Sequence, residues 1–515
     1  MYFEDTNGKA VCLSLTIICF RMNPKQFSVS MVLAFVLGAG SLSAQDMRDH
    51  WVFGPGNYVR FEGGEPVFDG SVPMSTREGV SSLSDTLGQL QAYAFPGAIF
   101  NAEFDTMFNG LAKYPCTDLA AGSTITQGTI LLPGAQTGSL INLFSINGDS
   151  LGCELQYLYH KKVALEAEEG LGAVLEMGLE DPVFVQPVSE QLTAIRHGNG
   201  HDWWIIVRNA LPPFYTIGNS FHIFLMTHDS LLIAGQIETT VSSKLGELVA
   251  SPDGSTLALA NGVDVGDSMS QGLMLYDFDR CEGIISNERV LDFNRNTYGV
   301  AFSANSRFLY MGVYDGLANY CGIVQVDLSD TVLPFQVVYD CSASSSFTGA
   351  LELDPNGKIY FVLPFCATLT SDTLHWYLHS IESPDNLGPA CSVQPFRLAL
   401  QSGFNCYASL PNHPNYYLGP DPNNCGDRTT AIVAPTIDIG WKLYPTLAQK
   451  AFMLELPAGI QANAFIIDAV GRVVKQAALK PGKTRIDVSS WPSGMYRVAL
   501  RQEGRYLGAK TVVRP

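Results

Sequence analysis

Residues 251–260 read Ser-Pro-Asp-Gly-Ser-Thr-Leu-Ala-Leu-Ala, a tight turn followed at once by an apolar strand. Proline presets φ at the second turn position, while Asp and Gly supply the reversal. The same pattern of turn and strand recurs along the chain, and its last turn residue falls at positions 88, 138, 200, 254, 306 and 357. These positions are mostly a little over 50 residues apart, which is the length of one four-stranded propeller blade.

The short alternating apolar runs and the absence of a long helical period predict an all-β fold. We interpret residues 45–426 as a β-propeller of seven blades, with six or eight blades and a pair of β-sandwiches as alternatives. Segment 391–418 has room for the seventh blade. An early strand, either 51–53 or 58–61, is expected to complete the last blade and close the ring, which would protect otherwise exposed strand edges.

Charge divides the chain into two parts. Residues 438–515 contain 12 Lys and Arg against 5 Asp and Glu, a net charge of +7, whereas residues 45–437 contain 16 against 42, a net charge of −26. Such a reversal predicts a domain boundary, with a linker at 427–437. An acidic body without a basic stripe repels phosphate backbones, so the sequence argues against nucleic-acid binding.

The N-terminal region has the pattern of an export signal. Met22 and Lys25 form a short positive segment, residues 29–37 are apolar, and Leu42-Ser43-Ala44 is a small-residue cleavage site. We therefore predict that residues 1–44 are a signal region, that translation starts at Met22 and that the mature chain starts at Gln45. The alternative is a membrane anchor, although the apolar run is shorter than the roughly 20 residues that a span needs.

Nine cysteines follow the signal region, and none of them belongs to a C-x-x-C pair or a zinc spacing. In an oxidising compartment such cysteines are expected to form disulfides, with one thiol left over. The nine are Cys116, Cys153, Cys281, Cys321, Cys341, Cys366, Cys391, Cys406 and Cys425.

No catalytic, nucleotide or metal motif occurs, so we predict a protein that is not an enzyme and has no cofactor. A group at His197, His201 and Asp202 is interpreted as a polar turn rather than a metal site. His375 and His379 are placed on a strand over 374–381, too far apart for one metal ion. Two acidic pairs, Asp277 with Asp279 and Glu352 with Asp354, are interpreted as solvated surface, with calcium held by loop acids as an alternative.

Several stretches resemble the propeller of surface and secreted proteins that use type IX secretion. They are 51–54 (Trp-Val-Phe-Gly), 76–79 (Thr-Arg-Glu-Gly), 192–197 (Leu-Thr-Ala-Ile-Arg-His) and 298–303 (Tyr-Gly-Val-Ala-Phe-Ser). Residues 410–416 and 418–420 look like the closing segment of that propeller. These are scaffold motifs, and none of them names a ligand.

Residues 438–515 resemble the type IX sorting domain, a small immunoglobulin-like β-sandwich. The resemblance rests on Tyr444, Pro445, Asp468, Gly471, Arg472, Gly494, Tyr496 and Lys510. It implies recognition by the outer-membrane translocon and removal by a sortase-like peptidase. The same residues also have structural explanations: Gly471 and Gly494 permit positive φ at turns, Tyr496 packs, and Trp491 caps the sandwich.

Together these observations predict a secreted or cell-surface binding scaffold that reaches the exterior through the periplasm. Its propeller would present loops to a glycan, a peptide or a protein. The alternatives are a carbohydrate-active hydrolase or lyase, since propellers also hold acids around a central channel, and a structural adhesion component. Carboxylates that converge at one mouth of the channel would favour the enzyme.

Overall fold

The computed structural model describes residues 46–112, 123–134, 140–149, 152–175, 182–183, 186–210, 218–228, 230–243, 245–261, 272–291, 295–315, 320–330, 332, 335–342, 348–364, 374–400, 408–422, 425, 440–467, 473–502 and 505–515. The predicted signal region and linker lie outside these residues, so the domain boundaries remain predictions. Within the described residues, no helix has both the length and the apolar composition needed to span a bilayer.

The propeller strands fall into seven consecutive groups, which we call blades 1 to 7. Blade 1 consists of β1 (His50–Phe53), β2 (Asn57–Glu62) and β3 (Glu65–Ser71). Blade 2 consists of β4 (Ser81–Ser84), β5 (Leu90–Phe95), β6 (Ala98–Asn101) and β7 (Thr106–Leu111). Blade 3 consists of β8 (Thr129–Pro133), β9 (Leu140–Asp149), β10 (Gly152–Ala164) and β11 (Ala173–Leu175). A parallel pairing of β7 with β11 joins blades 2 and 3 into one eight-stranded sheet.

The remaining four blades are regular four-stranded antiparallel sheets. Blade 4 consists of β12 (Val188–Arg196), β13 (Trp203–Asn209), β14 (Gly218–Met226) and β15 (Leu231–Ser243). Blade 5 consists of β16 (Leu248–Ala250), β17 (Thr256–Asn261), β18 (Gly272–Asp279) and β19 (Ile284–Leu291). Blade 6 consists of β20 (Asn296–Phe302), β21 (Phe308–Asp315), β22 (Tyr320–Asp327) and β23 (Phe335–Asp340), and blade 7 of β24 (Leu351–Leu353), β25 (Ile359–Phe361), β26 (Tyr377–Ile381) and β27 (Val393–Ala399).

In blades 2, 4, 5, 6 and 7 the predicted turn lies between the first strand, which faces the central channel, and the second strand. In blade 5, Ser251 N donates to Thr256 O (2.8 Å) and Gly254 N donates to Ser251 O (2.8 Å). The same two bonds form in blades 2, 4, 6 and 7, where the residue equivalent to Gly254 is Gly88, Gly200, Ser306 or Gly357, all at positive φ. The predicted repeat is confirmed at these five turns, while Gly138 lies outside the described residues.

The all-β propeller prediction is confirmed, but two details of its construction were wrong. Strands 51–53 and 58–61 do not complete the last blade, because with β3 they form blade 1. Segment 391–418 does not form a blade either: it contributes β27 to blade 7, and residues 408–418 contain no strand. The sequence repeat did not identify blade 1, because this blade has three strands and a different turn, which contains Gly54 and Gly56.

Aromatic packing and an ion-pair network close the ring between blades 1 and 7. The Trp51 ring lies 5.8 Å from that of Tyr360 in an edge-on contact, and Phe61 lies 5.6 Å from Tyr360. At the outer side, Glu65 pairs with Lys358 and Arg397 of blade 7. Burial of large aromatic side chains supplies most of the stabilisation, since exposed ion pairs contribute little.

Two disulfides are described, Cys281–Cys425 and Cys321–Cys341, while Cys391 is a buried free thiol. The prediction that cysteines pair is therefore supported at these positions. The side chains of the other four cysteines are not among those described.

The C-terminal part is a two-sheet β-sandwich, as predicted. One sheet contains β28 (Lys442–Tyr444), β29 (Ala451–Leu456) and β32 (Gly482–Asp487). The other contains β30 (Ala462–Ile467), β31 (Val473–Leu479), β33 (Gly494–Gln502) and β34 (Arg505–Arg514). Alternate residues of β29 point inward, and Phe452, Leu454 and Leu456 join one buried core with Trp441 and Tyr496.

We predict that Gly254→Val lowers the stability of the propeller by about 1 to 3 kcal/mol, because Gly254 has φ +73° and a β-branched residue resists this region. A Cβ here would also lie 2.7 Å from Arg280 Cδ and from Leu418 Cδ2. Thermal melting followed by circular dichroism measures the loss.

Two matched variants separate these causes. Gly63 has φ +59° with no atom within 4 Å of the added Cβ, so Gly63→Val should show the conformational cost alone and a smaller loss. Ser306→Gly, at the equivalent turn position in blade 6 (φ +60°), should keep or raise the melting temperature. A Gly254→Val protein that melts with the parent would contradict the role given to this turn.

Candidate functional site

A strand-free segment, residues 408–421, runs through the central channel, and we call it the axial segment. At one end Ala408 N donates to Arg77 O (3.1 Å), and Ala350 N donates to Ala408 O (2.7 Å). At the other end Asp421 N donates to Gly198 O (2.9 Å), in the turn that follows β12. Because Arg77 and Ala350 precede their innermost strands and Gly198 follows its own, the segment passes from one mouth of the channel to the other.

Side-chain amides of the axial segment donate to backbone carbonyls of several blades. Asn412 Nδ2 donates to Thr129 O of blade 3 (3.1 Å) and to Leu192 O of blade 4 (2.9 Å). Asn415 Nδ2 donates to Pro252 O of blade 5 (2.7 Å). Each bond supplies a donor to a backbone carbonyl that faces the channel.

Larger side chains hold the C-terminal half of the axial segment. The Tyr416 hydroxyl donates to Leu131 O (2.9 Å), and Arg196 donates to Tyr416 O (2.8 Å) while its guanidinium stacks on the ring of Trp203. Just beyond the segment, the Cys281–Cys425 disulfide ties the chain to the outer part of blade 5. The axial segment is therefore fixed along its length and is part of the scaffold.

The axial segment, blades 4 to 7, Arg48 and Gln127 line a partly open cavity of about 230 Å³. Its wall is partly apolar, with Ile195, Val300 and Leu418 among the contributors. Its ionisable lining residues are Arg48, Arg196, Glu247, Glu352, Asp354 and His413. We call this the channel cavity.

Glu352 and Asp354, predicted to be solvated surface acids, instead line the channel cavity. Asp354 is 1% exposed, and burial raises its pKa to about 6. Burial also raises the pKa of Glu352 well above its usual range, although its carboxylate lies 3.6 Å from Nδ1 of His413 and faces Arg48. The prediction failed because alternate residues of an exposed strand and of a channel-facing strand look alike when both are acidic.

The other acidic pair does lie at the surface. Asp277 is half exposed and accepts hydrogen bonds from Arg289 (2.7 Å) and Asn287 (2.9 Å). Asp279 accepts from the backbone amides of Cys281 and Glu282 and so stabilises the turn after β18. Both side chains have structural partners.

A second group of acids surrounds the channel at the ends where the innermost strands begin. Glu247 Oε2 accepts from Val300 N (2.9 Å), and burial raises the Glu247 pKa to about 8. Glu78 also has a pKa raised to about 8, by burial first and then by the nearby charge of Glu190. Glu190 accepts hydrogen bonds from both the amide and the hydroxyl of Thr126. This group was not predicted from the sequence, because its members lie just before or at the start of the first strands of different blades, which are far apart in the chain.

The histidines identified from the sequence lie in turns or on a strand of the propeller. His197 Nδ1 accepts from Asn199 N (2.9 Å), and Asp202 accepts from Asn199 Nδ2 (2.8 Å) and contacts His201, so the three form the blade 4 turn. Residues 374–376 form a 3₁₀ turn rather than the start of a strand, so only His379 of the second pair lies on β26. Among the described residues, no group of His, Cys, Asp and Glu is arranged to hold a metal ion.

The described sorting-domain residues have defined places in the sandwich. Tyr496 is buried, its ring packs on Trp491, and its hydroxyl donates to Pro492 O (2.7 Å). Lys510 Nζ donates to Trp441 O (2.8 Å) and lies 5.0 Å from the Trp441 ring centre.

Tyr444, beside Pro445, is at the surface and donates to Glu455 (2.7 Å). The sequence predicts Gly494 at a turn. In the structure it is instead the first residue of β33, in a nearly extended conformation (φ 159°). Asp468, Gly471 and Arg472 lie outside the described residues.

Residues 442–514 match the family model of the secretion system C-terminal sorting domain. The C-terminal sandwich is a type IX sorting domain. The chain is accordingly a protein exported by the type IX system, secreted or held at the cell surface, and its sorting domain interacts with that machinery. The family model covers this domain alone, so it gives no activity for the propeller.

Comparison of whole chains adds no function. No curated protein matches this chain. Among solved structures it is similar to an exo-β-1,3-galactanase from Phanerochaete chrysosporium, with a TM-score of 0.35, 8% identity and coverage of 77% of this chain and 97% of the other. It is also similar to a periplasmic gluconolactonase from Pseudomonas aeruginosa, with a TM-score of 0.32, 14% identity and coverage of 73% and 97%. TM-scores this low carry no argument about this chain.

We predict that Glu247 contributes a loss of propeller stability as pH rises from about 5 to 8. The folded pKa of Glu247, about 8, exceeds its ordinary value of 4.5, so the unfolded chain releases this proton first. The stabilisation is complete below the ordinary value and is lost as pH rises through the folded one. Glu247→Gln should flatten this dependence in melting temperatures measured across the range.

Glu103→Gln, at an exposed position, is the control and should leave the slope unchanged. If the Glu247→Gln protein kept the parental slope, the environment assigned to this carboxyl would be wrong.

Proposed function

We propose that this protein is a non-catalytic binding scaffold that the type IX system delivers outside the cell and whose propeller holds its ligand at the channel cavity. The observation that carries the proposal is the axial segment, which runs through the channel and forms one wall of this recess. Concave recesses with a few fixed polar groups are where propellers and other scaffolds bind small ligands or the ends of large ones.

The fixed walls of the channel cavity favour binding. The axial segment is held by hydrogen bonds to blades 3, 4 and 5 and by the Cys281–Cys425 disulfide, so its side chains need little further ordering when a ligand arrives. A preorganised wall reduces the entropic cost of association. The channel cavity has a volume of about 230 Å³, which is smaller than most pockets for drug-sized ligands. This volume favours a small molecule or one end group of a larger chain.

The arrangement also gives a specific reason to consider a carbohydrate-active hydrolase or lyase. Glu352 and Asp354 line one cavity and both have raised pKa values, as a general acid requires. Against this, one oxygen of Asp354 accepts two backbone amides of its turn, and Glu352 faces Arg48 and His413. Scaffold binding is therefore preferred, and hydrolysis of polysaccharides that is abolished by Glu352→Gln would reverse the preference.

The sorting domain is the second half of the proposal: the outer-membrane translocon recognises it, and a sortase-like peptidase then removes it. An export signal alone carries a chain only across the inner membrane, so a second address is needed. We predict that a chain lacking residues 438–515 accumulates in the periplasm with a folded propeller, as judged by fractionation and protease resistance.

A reciprocal fusion supplies the control. Residues 438–515 attached to an unrelated periplasmic protein should carry that protein to the medium or the cell surface. Export of the truncated chain as efficient as that of the full chain would show that the sandwich is not the address.

We predict that the exported protein binds members of a glycan or peptide array with saturable signal. Gly254→Val changes the turn that contains the cavity-lining residues Ser251 and Pro252 and contacts Leu418, so it should bind more weakly, whereas Gly63→Val, at a turn that is not among the cavity-lining residues, is the matched control. Absence of signal on every array would count against the scaffold, and turnover of an arrayed glycan would favour the enzyme.

A further inference from the structure

The innermost strand of blade 5 has one edge without a neighbouring strand, so alternate peptide groups along it face the channel. Glu247 O and Ser251 N bond the second strand of the blade (2.9 and 2.8 Å). By alternation, the peptide groups of Leu248 and Ala250 face the channel instead. Gln127 agrees with this assignment, because its side-chain amide accepts from Leu248 N (2.8 Å) and donates to Leu248 O (3.0 Å).

The innermost strand of blade 7 has the same arrangement. Ala350 O and Asp354 N bond the second strand (3.4 and 2.8 Å), so the peptide groups of Leu351 and Leu353 face the channel. Leu351 N accordingly donates to Glu247 Oε2 (3.4 Å) across the channel. Leu353 therefore occupies in blade 7 the place that Ala250 occupies in blade 5, one residue before the turn.

These two equivalent positions carry peptide groups that a ligand can use. The N–H and C=O of Ala250 and the N–H of Leu353 have no hydrogen-bond partner among the described residues, while Leu353 O accepts Arg48 Nη1 (3.4 Å). Both residues line the channel cavity and both are only half-buried. The Glu352 side chain, which lines the same cavity, is 14% exposed. Donors and acceptors are thus present together on one wall.

The unoccupied groups do not form a continuous strand edge. On one side of Ala250, Leu248 is occupied by Gln127, and on the other side Pro252 O accepts Asn415 Nδ2 (2.7 Å). A peptide that adds a strand needs several consecutive groups on one edge. Single groups on separate blades instead suit a compact molecule whose polar groups are spread around it.

The ionised side chains of the channel cavity balance one another. Arg48 donates to both oxygens of Asp46 (3.1 Å each). Burial lowers the pKa of Arg196 to about 10, so this residue, stacked over Trp203, stays charged near neutral pH. Asp354 supplies an opposite charge above its pKa of about 6. The lining therefore has no excess of either sign to attract an ion.

The other titratable lining residues are uncharged near neutral pH. Burial raises the pKa of Glu247 to about 8 and that of Glu352 well above its usual range. Burial also lowers the pKa of His413 to about 3. A protonated carboxyl group both donates and accepts, as the peptide groups beside it do.

We propose that the channel cavity binds one neutral sugar unit, whose hydroxyl groups bond the channel-facing peptide groups of Ala250 and Leu353. A hydroxyl both donates and accepts, so it can use an N–H and a C=O alike. The apolar part of the wall, to which Ile195, Val300 and Leu418 contribute, suits the C–H face of a sugar ring. The inference rests on the proposed binding function and names the chemical class of its ligand.

Isothermal titration calorimetry of the exported protein tests this class with the methyl glycosides of glucose, galactose and mannose. Methyl glucuronide and methyl glucosaminide are the matched anionic and cationic probes, and acetyl-Gly-Gly-Gly-amide is a neutral probe without a sugar ring. Cellotriose, galactotriose and mannotriose distinguish the two sources of a sugar unit. Binding of a trisaccharide at least as tight as that of its monosaccharide indicates the end of a glycan, and weaker binding indicates a free sugar.

Two variants, each with a matched control, locate the site. Ala250→Pro removes the channel-facing N–H but no bond to the second strand, because an edge position of this kind tolerates proline. It should bind the sugar about fivefold more weakly, whereas Ala250→Gly keeps the N–H and should bind like the parent. Ala304 is exposed and lines the cavity, so Ala304→Trp should fold and obstruct binding. Thr86→Trp, at the same turn position in blade 2 and away from the cavity, should not.

Saturable binding of a neutral glycoside, weaker binding of both charged probes and loss of binding in Ala304→Trp support the proposal. If circular dichroism shows that Ala250→Pro does not fold, the Ala304→Trp and Thr86→Trp pair decides alone. The proposal is overturned if no neutral sugar binds, if a charged probe or the peptide binds as tightly, or if Ala304→Trp binds like the parent. An array peptide or charged glycan whose binding is lost in Ala304→Trp would overturn the neutral sugar and leave the scaffold function standing.

Discussion

The structure depends on how the backbone carbonyls that face the propeller channel are satisfied. Innermost strands pair on one side only, so part of their backbone points at the axis and must find donors there. The axial segment provides them: Asn412 and Asn415 donate to three blades, and Tyr416 donates to Leu131 O. The axial segment thus connects blades that are not all adjacent through one shared centre.

The same arrangement creates the chemistry of the channel cavity. A channel full of water would leave Glu247, Glu352 and Asp354 solvated, with ordinary acidity. Burial is the largest influence on all three carboxyl groups, and the axial segment lines the same cavity. The cavity acids therefore share their surroundings with axial-segment residues that lie more than fifty positions away in the chain.

The parts of the fold that were predictable from sequence are those fixed by local bonds. The five repeated turns each depend on two hydrogen bonds within six residues, and the sorting domain carries its own local pattern. The axial segment has no periodicity, and the partners of Asn412 lie 283 and 220 residues away in the chain. Burial of Glu352 and Asp354 was likewise invisible, because a strand that faces a channel alternates like one that faces solvent. Blade 1 was missed for lack of a fourth strand and of the shared turn.

The Cys281–Cys425 disulfide joins residues 144 positions apart, and the loop it closes contains blades 6 and 7 and the axial segment. Any single cleavage between these two cysteines leaves the resulting fragments covalently joined. For a protein that works outside the cell, among extracellular proteases, this means that a nicked molecule can keep its ring and its cavity. The disulfide therefore keeps a cleaved molecule in one piece, independently of how well each surface loop resists proteolysis.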